Sequence, residues 1–584
     1  MDNCSVDYVL GHKDCVTGER QPRGVVVRVG GTTRCRYKVV YPHCGEEYVI
    51  GHVKGRMRST EEACLICDLL SGSAGGRMLC SAIRLGHANV AMLILLVAPE
   101  AALVTSDSRE CTPLHMAAKK GQEAVARVLL ALAPNAGGTA DSCGRHPLHL
   151  AARNGHTATC QLLLGTAPEI VTIATHGGRL PLHLAARNGH AATCQPLLGT
   201  APETATIADS DGWLPLHLAA WNGHTVTCQI LLDTAPETPA MADRDGRLPL
   251  HLAAQDSHMA TCQLLLDTAP ETPLTADSDG WLPLHLAAHN GHTATCQLLL
   301  DTAPDTPTVA NINGWLPVHL AAHNGHAATC HLLLDTAPET STIANSNGWL
   351  PLHLAAHNGH TATCQLLLDT APKTPTMANS DGWLPLHLAA WSGHTATCQV
   401  LLDTAPKTAT TATRGGRLPL HLAARDGHTA TCKLLLERAP EAASSIDLEG
   451  KTPLQLALDP DDGPPHLDTA RCLLAFGPAP AVLLALHSTP AALPLFADFV
   501  FARPSLTSEE WAALPTPCPG LCQALPAVLA RSTDQARHLV QHLPPADAQR
   551  VRIASLSLHR AQTALNLALP APVVWSILAL SFVD

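Results

Sequence analysis

A proline in the setting Pro-Leu-His, or a close variant of it, recurs at Pro113, Pro147, Pro181, Pro215, Pro249, Pro283, Pro317, Pro351, Pro385, Pro419 and Pro453, always 34 residues after the last. Eleven units without an insertion leave few options for the fold. Each unit is too short to bury its own apolar face, so neighbours must stack and close a shared core. Upstream, Met78 to Glu100 forms a degenerate unit that lacks the tripeptide and reads as an N-terminal cap. After Pro453, Gln455 stands where the histidine would be and "DPDDGPPHLD" interrupts the pattern, as expected of a last repeat.

The unit starting at Asp277, "DSDGWLPLHLAAHNGHTATCQLLLDTAPD", shows its parts in order. "DSDG" is turn chemistry, because Asp and Gly tolerate tight or left-handed backbone. Pro283 suits the first turn of a helix, where its missing N–H is not needed. "LHLAAHNG" predicts a short helix with Leu284, Ala287 and Ala288 on one side, ended by Gly291. "TATCQLLL" predicts a second helix that turns Thr295, Cys296, Leu299 and Leu300 inward. "DTAP" stops it, since proline cannot continue a helix.

"TPLHMAAKKG" (Thr112 to Gly121) and "PLHLAARNGH" resemble the ankyrin repeat, whose signature T-P-L-H-x-A opens a unit of a β-turn and two helices. The resemblance spans about Gly75 to Gly477 and implies a mainly α chain, an ankyrin-repeat solenoid of stacked helix-turn-helix units. Two departures stand out. The period is 34 rather than 33, with the extra residue in the "TAPET" connection. Threonine precedes the proline only at Thr112 and Thr452. A threonine there caps the helix, worth about 0.5–2 kcal/mol, so its replacement by leucine or His146 puts the cap geometry in question.

The flanks differ from the array, which divides the chain into residues 1–74, 75–477 and 478–584. The first segment holds all four tyrosines, and "GVVVRVGGTTRCRYKVVYPHCGEEYVIG" predicts a small β module with Gly30-Gly31 as a hairpin turn. "VVYPHCGEEYV" is faintly similar to Tudor-like SH3 barrels. The last segment is rich in Ala, Leu and Pro and predicts a helical C-terminal region. Its end, "LPAPVVWSILALSF", is weakly similar to an F-box start or a SOCS-box end through Leu569, Pro570, Ile577 and Leu578. That implies an alternative role as substrate-recognition subunit of a ubiquitin ligase. Gln562 to Val583 carries no charge and is long enough to span a bilayer, a second alternative as a tail-anchored membrane scaffold. Asn566, Pro570 and Pro572 interrupt it and favour a buried cap over a membrane segment.

Net charge of -12 argues against a nucleic-acid partner, which needs a basic surface. The 21 cysteines lie in a long chain without a basic-then-apolar leader pattern, which points to a reducing compartment, the cytosol. Nine of them, Cys160 to Cys432, recur with the repeat period on the inward face of the second helix. Stacked helices lie about 8–10 Å apart and a disulfide needs Cα atoms within about 7 Å, so these cysteines are expected to be small core hydrophobes. The histidines of Pro-Leu-His, His115 to His421, and of Gly-His, His156 to His428, form two more ladders. Some sit at i, i+4, as His285 and His289 do, but without the glutamate of a zinc-protease helix. The family resemblance implies instead that both bond backbone in neighbouring loops. Cys35, Cys44, Cys64 and Cys67, with His43, form a loose zinc-like set whose "CLIC" reads better as the start of a helix. No metal, cofactor or catalytic constellation is expected, and the chain is not expected to be an enzyme.

Function should lie where the copies differ. One variable slot follows the turn glycine and holds Arg145, Arg179, Trp213, Arg247, Trp281, Trp315, Trp349, Trp383, Arg417 and Lys451. The other follows "LAA" and holds Lys119, Arg153, Arg187, Trp221, Gln255, His289, His323, His357, Trp391 and Arg425. Seven of the nine tryptophans fall in these slots, in a chain whose aromatic content is only 3%. Trp and Arg are the side chains most enriched at interface hot spots. The resemblance implies that the slots line a concave, partner-binding face. The expectation is a protein–protein interaction scaffold or adaptor. Its centre is Trp281, Trp315, Trp349 and Trp383, flanked by His289, His323, His357, Trp213, Trp221 and Trp391. Arg145, Arg153, Arg179, Arg187, Arg417 and Arg425 form basic rims available to an acidic ligand, and the tryptophans are expected to be surface residues.

Overall fold

A computed structural model of the chain describes residues 72–565, apart from 105–109, 460–463, 477–482, 484–491 and 504, together with the backbone of four short segments within residues 4–50. The expected β module and the loose cysteine set with His43 fall where no side chain is described. Most of the uncharged C-terminal stretch, from residue 566 onward, also lies outside the described residues. The chain divides into two units, residues 1–287 with 297–303, and residues 288–296 with 304–584.

In the first unit the repeat built on Pro215 is representative. Pro215 opens the helix Pro215–Trp221, and Thr225–Thr234 forms the second helix. Helices of seven and ten residues are marginal alone, since isolated helices need about 12–15 residues, so packing must hold them. Leu216, Ala219, Ala220, Cys228 and Leu231 are all at or below 1% exposure. Each leucine so buried stabilises the array by about 1.5–3 kcal/mol relative to exposure. First helices pack on first helices of the adjacent repeats, and second helices on second helices. Thr225 Oγ1 and Thr261 Oγ1 meet at 2.8 Å and tie consecutive second helices.

Helix starts keep their geometry without threonine. At Thr112 and Thr452 the hydroxyl accepts from the backbone N–H three residues on, as a side-chain cap should. Where leucine stands instead, the residue keeps an extended ψ near 161–163°, and the histidine three residues on reaches back to it. His251 Nδ1 accepts the Leu248 N–H at 3.0 Å. One of the four orphan N–H groups at the helix start is thus satisfied by histidine rather than by water. The first helix ends at Asn222, with Gly223 left-handed at φ 68°. A side chain at Gly223 would also collide with the His258 ring of the next repeat, so two constraints call for glycine there. In the connection to the next repeat Thr238–Ala240 makes a 3-10 turn and Thr238 Oγ1 donates to Ala235 O at 2.7 Å.

The second unit repeats this plan from Pro317–His323 to Pro419–Arg425, and closes with the shorter pair Pro453–Ala457 and Leu467–Ala475. Helices Leu493–Ala502, Ser508–Ala512, Leu525–Arg531, Thr533–Gln541 and Pro545–Leu565 follow. Their core holds Phe496, Phe499 and Trp511. Trp511 donates its indole N–H to Gln535 Oε1 at 2.9 Å, so its polar end is satisfied in the interior. Among the described residues no helix is long and apolar enough to cross a membrane.

Candidate interaction surface

The two variable slots share one structural property: their main chain is fixed by a neighbouring repeat. The turn is closed within each unit. Asp209 N–H donates to Trp213 O at 2.9 Å, and Asp209 Oδ1 accepts the N–H groups of Asp211 and Trp213, both at 2.9 Å. The Trp213 carbonyl also receives a bond from the preceding repeat, His183 Nε2 at 3.0 Å. His217 does the same for Arg247 O, His251 for Trp281 O, and His353 for Trp383 O, each at 3.0 Å. The second ladder of histidines, Gly-His in most repeats and Ser257-His258 in one, works in the opposite direction. His258 bonds Trp221 O at 3.0 Å, His360 bonds His323 O at 3.0 Å, and His428 bonds Trp391 O at 2.9 Å. At these positions the slot carbonyl belongs to the framework, while its side chain is left to vary.

This assigns the Pro-Leu-His histidines a protonation state. In His183, His217, His251 and His353 Nδ1 accepts from a backbone N–H, so the ring proton sits on Nε2, which donates to the carbonyl of the next turn; His387 donates to Thr411 O instead, and His421 Nε2 has no described partner. Only that neutral tautomer satisfies both bonds. Burial pushes His183, His217, His251, His353 and His387 down to about 4, and His149 to about 3. With both nitrogens engaged, they have none left for a metal. Among the described residues no three His, Cys, Asp or Glu side chains converge as a cation site. The cysteine ladder is equally committed to structure. Cys160, Cys194 and Cys228 are fully buried free thiols pushed up to about 12 by burial.

The slot tryptophans are not the bare surface residues that the sequence leads one to expect. Trp213, Trp221, Trp281, Trp315, Trp349, Trp383 and Trp391 are all half-buried. For six of them, Trp213, Trp221, Trp315, Trp349, Trp383 and Trp391, the cause is contact within the repeat, where the turn slot meets the slot eight residues later. Trp213 and Trp221 lie 5.4 Å apart, edge to face at 81°. Trp315 meets His323 at 5.8 Å, Trp349 meets His357 at 5.8 Å, and Trp383 meets Trp391 at 5.8 Å, all edge to face. His357 also stacks on Trp391 of the next repeat at 5.4 Å, so Trp349, His357, Trp391 and Trp383 form a continuous aromatic run in the second unit. His289, also in that unit, is held by Asn324, whose Nδ2 donates to His289 O at 2.8 Å.

The arginines assigned to basic rims are mostly engaged already. Arg145 bonds Asp141 at 2.7 Å, Arg179 bonds Asp209 at 3.1 Å, Arg417 bonds Asp447 at 3.2 Å and Glu449 at 2.9 Å, and Arg425 bonds Asp426 at 3.1 Å. Arg153 and Arg187 are exposed and have no described carboxylate partner.

One determinant escapes the sequence reading, the residue four before the turn slot. Its side chain is buried in most repeats, half-buried at Thr175 and Asp277, and caps the turn, but its charge tracks the arginines. Asp141 and Asp243 meet the arginine of their own turn, while Asp209 and Asp447 meet the arginine of the preceding one. Burial alone would raise Asp141 and Asp447, but the bonds they accept, including those from Arg145 and Arg417, outweigh it and hold both below the usual carboxylate range. Before Trp315, Trp349 and Trp383 the same position is neutral: Asn311, Asn345 and Asn379. Asp277, before Trp281, is the exception, and burial raises it above the usual range. In the sequence the pairing lies four residues apart for Asp141–Arg145 and Asp243–Arg247 but 30 apart for Arg179–Asp209 and Arg417–Asp447, and each residue alone reads only as a turn former.

Comparison with known families and proteins adds one match. A family model described as ankyrin repeats (3 copies) matches overlapping segments 78–174, 130–205, 182–272, 250–344, 318–413 and 407–480. No curated protein matches the chain.

Proposed function

The chain belongs to the ankyrin-repeat family, and on that premise we propose that it is a non-catalytic scaffold or adaptor that binds partner proteins through its two variable slots. Ankyrin repeats generally mediate protein–protein interaction and typically do so without catalysis. The observation that carries the reading is the division of labour at each slot. Framework histidines hold the carbonyls of Trp213, Trp221, Trp383 and Trp391, while the side chains at those positions differ from copy to copy. Large aromatic side chains on a pinned main chain lose little further freedom on binding, which favours affinity.

The contact residues on this reading are Trp213, Trp221 and Trp281 in the first unit, and His289, Trp315, His323, Trp349, His357, Trp383 and Trp391 in the second. Arg153 and Arg187 add charge that no described carboxylate neutralises. We place the protein in the cytosol. Residues 1–74 are a small β module on the same reading, supported by antiparallel backbone pairing of Cys4–Lys13 with Arg20–Val29, then Arg36–Val40, then Glu47–Ile50.

The test is affinity capture from cell extract, with the partners identified by mass spectrometry, comparing the wild type with W281A/W315A/W349A/W383A. Selective loss of a defined set of partners is expected, with the helical circular dichroism signal retained. Equal capture by both proteins would refute the reading.

A further inference from the structure

One cavity departs from the aromatic character of the other slots. It lies in the first unit, has a volume of about 460 Å³ and is lined by Trp213, Trp221, Leu218 and four arginines. That volume is within the range of about 300–1,000 Å³ typical of ligand pockets. Three consecutive repeats build it. Arg187 comes from the first, with its guanidinium carbon 6.0 Å from the Trp221 ring. The edge-to-face Trp213–Trp221 pair comes from the second. Arg247 comes from the third, 5.6 Å from the Trp213 ring. The order is arginine, indole, indole, arginine.

Two of the cavity's guanidinium groups are paired and two are not. Four guanidinium groups line the cavity against two carboxylates, Asp211 and Asp245. Both carboxylates are already used: Asp245 holds Arg247 at 2.7 Å and Asp211 lies 3.7 Å from Arg179. Arg187 and Arg244 are exposed, and neither has a described carboxylate within ion-pair distance. Arg179 and Arg247 are further neutralised by the buried Asp209 and Asp243, so the cationic groups left for a ligand at this cavity are Arg187 and Arg244. Its guanidinium planes beside aromatic faces are groups that take carboxylates in a bidentate manner.

We propose that this cavity is the docking point for an acidic segment of a partner protein, a stretch in which an apolar side chain adjoins carboxylates. This rests on the reading of the slots as a protein-binding surface and adds the chemistry of the ligand. The apolar side chain covers the Trp213 and Trp221 rings, and the carboxylates bond Arg187 and Arg244. Asp211 and Asp245 favour this ligand over a phosphate-rich one. They stand at the rim, where the denser charge of a phosphodiester chain is repelled, while a peptide can place its neutral backbone beside them.

The experiment uses the full chain and fluorescence anisotropy. The probes are a labelled peptide of alternating glutamate and leucine, the matching glutamine–leucine peptide, and a single-stranded RNA of similar length. The glutamate peptide should bind saturably, and at least about tenfold more weakly to R187Q/R244Q, since charge-assisted hydrogen bonds are the strong ones. R552Q, which removes an exposed arginine of the helix Pro545–Leu565, outside the cavity and the slots, should bind as wild type. All three arginines are exposed, so these variants should fold. Three results would overturn the proposal: equal binding of the glutamate and glutamine peptides, unchanged affinity in R187Q/R244Q, or tighter binding of the RNA. The capture experiment separates this from the broader reading. If the tryptophan variant loses partners and R187Q/R244Q keeps them all, the acidic-segment proposal fails and the slot reading stands. If neither variant loses partners, the slot reading itself fails.

Discussion

Acidification should unfold this array at a pH well above that at which its carboxylates titrate, and the Pro-Leu-His histidines are the cause. His183, His217 and His251 in the first unit are fully buried, neutral and pushed down to about 4. An unfolded histidine titrates near 6.5. Their folded value is lowered, so between pH 6.5 and about 4 the unfolded chain binds protons that the native chain refuses. Stability is therefore present above pH 6.5 and lost as pH falls through that window. At pH 5 each histidine contributes roughly 2 kcal/mol of destabilisation relative to pH 7, and the three together about 6 kcal/mol. That is comparable to the whole stability of an ordinary domain, about 5–15 kcal/mol.

The chain itself supplies the replacement that tests this. At the equivalent position of the last repeat, Gln455 Oε1 accepts the Thr452 N–H at 2.9 Å, as the histidine Nδ1 does elsewhere. His251→Gln should cost about 1–2 kcal/mol at pH 7 through an imperfect replacement of two buried bonds. It should also remove about 2 kcal/mol from the difference in stability between pH 7 and pH 5. The two proteins should therefore converge or cross near pH 5. Urea unfolding followed by circular dichroism at the two pH values provides the measurement. The reasoning is wrong if H251Q shows the same pH dependence as wild type, or if NMR finds the native His251 ring titrating near 6.5.

Two further outcomes follow from the turn and from the core. Asn345→Asp places a carboxylate at a site only 6% exposed with no arginine nearby, and should cost about 1–3 kcal/mol at neutral pH. Adding Trp349→Arg, which recreates the Asp243–Arg247 arrangement, should recover part of it, with a double-mutant coupling of about 1 kcal/mol; additive effects would show that the charge correlation is incidental. The thiols of Cys160, Cys194, Cys228, Cys262 and Cys364, pushed up to about 12, should resist a thiol reagent in the native state and react on unfolding, while exposed Cys143 reacts at once. Fast native labelling of the ladder, read by mass spectrometry of peptides, would contradict its burial.

Much of this was readable from the chain because a period of 34 exposes framework and variation together. The inward positions of both helices, the left-handed Gly223 and the proline at each helix start follow from local chemistry alone. The candidate slots were readable for the same reason: they are where copies differ. What the sequence hid depends on distances that a repeat pattern does not carry. The contact between Trp349 and His357 joins a turn to the far end of a helix, and it is what makes the tryptophan half-buried. The reach of Arg179 to Asp209 crosses from one repeat to the next, so a residue that reads as a free basic rim proves to be a structural partner. Leucine before the helix proline reads as a lost cap, yet His183 Nδ1 supplies the bond at Leu180 from three residues away.

The correlation between the buried turn residue and the arginines bears on why the tryptophans recur. Copying alone would carry a turn residue and its slot forward together without regard to a neighbour's charge. Yet Arg179, whose own turn has Thr175, reaches Asp209 of the following repeat, and Arg417, whose own turn has Thr413, reaches Asp447 of the following one. In both cases the acid stands across a repeat boundary from the arginine that neutralises it, so the two are matched between units rather than within a copied one. In the stretch with Trp315, Trp349 and Trp383 the matching takes the neutral form, with Asn311, Asn345 and Asn379 bonding the turn N–H groups without a buried charge. The identity of the turn-slot side chain is therefore linked to a buried charge, and substitutions there mix recognition with stability. The slot after "LAA" has no such counterpart. Its carbonyl is held by a histidine of the second ladder whatever side chain it carries, be it Arg187, Trp221, His323 or Trp391. That second slot is the position where the chain is freest to change what it binds while leaving the turn chemistry intact.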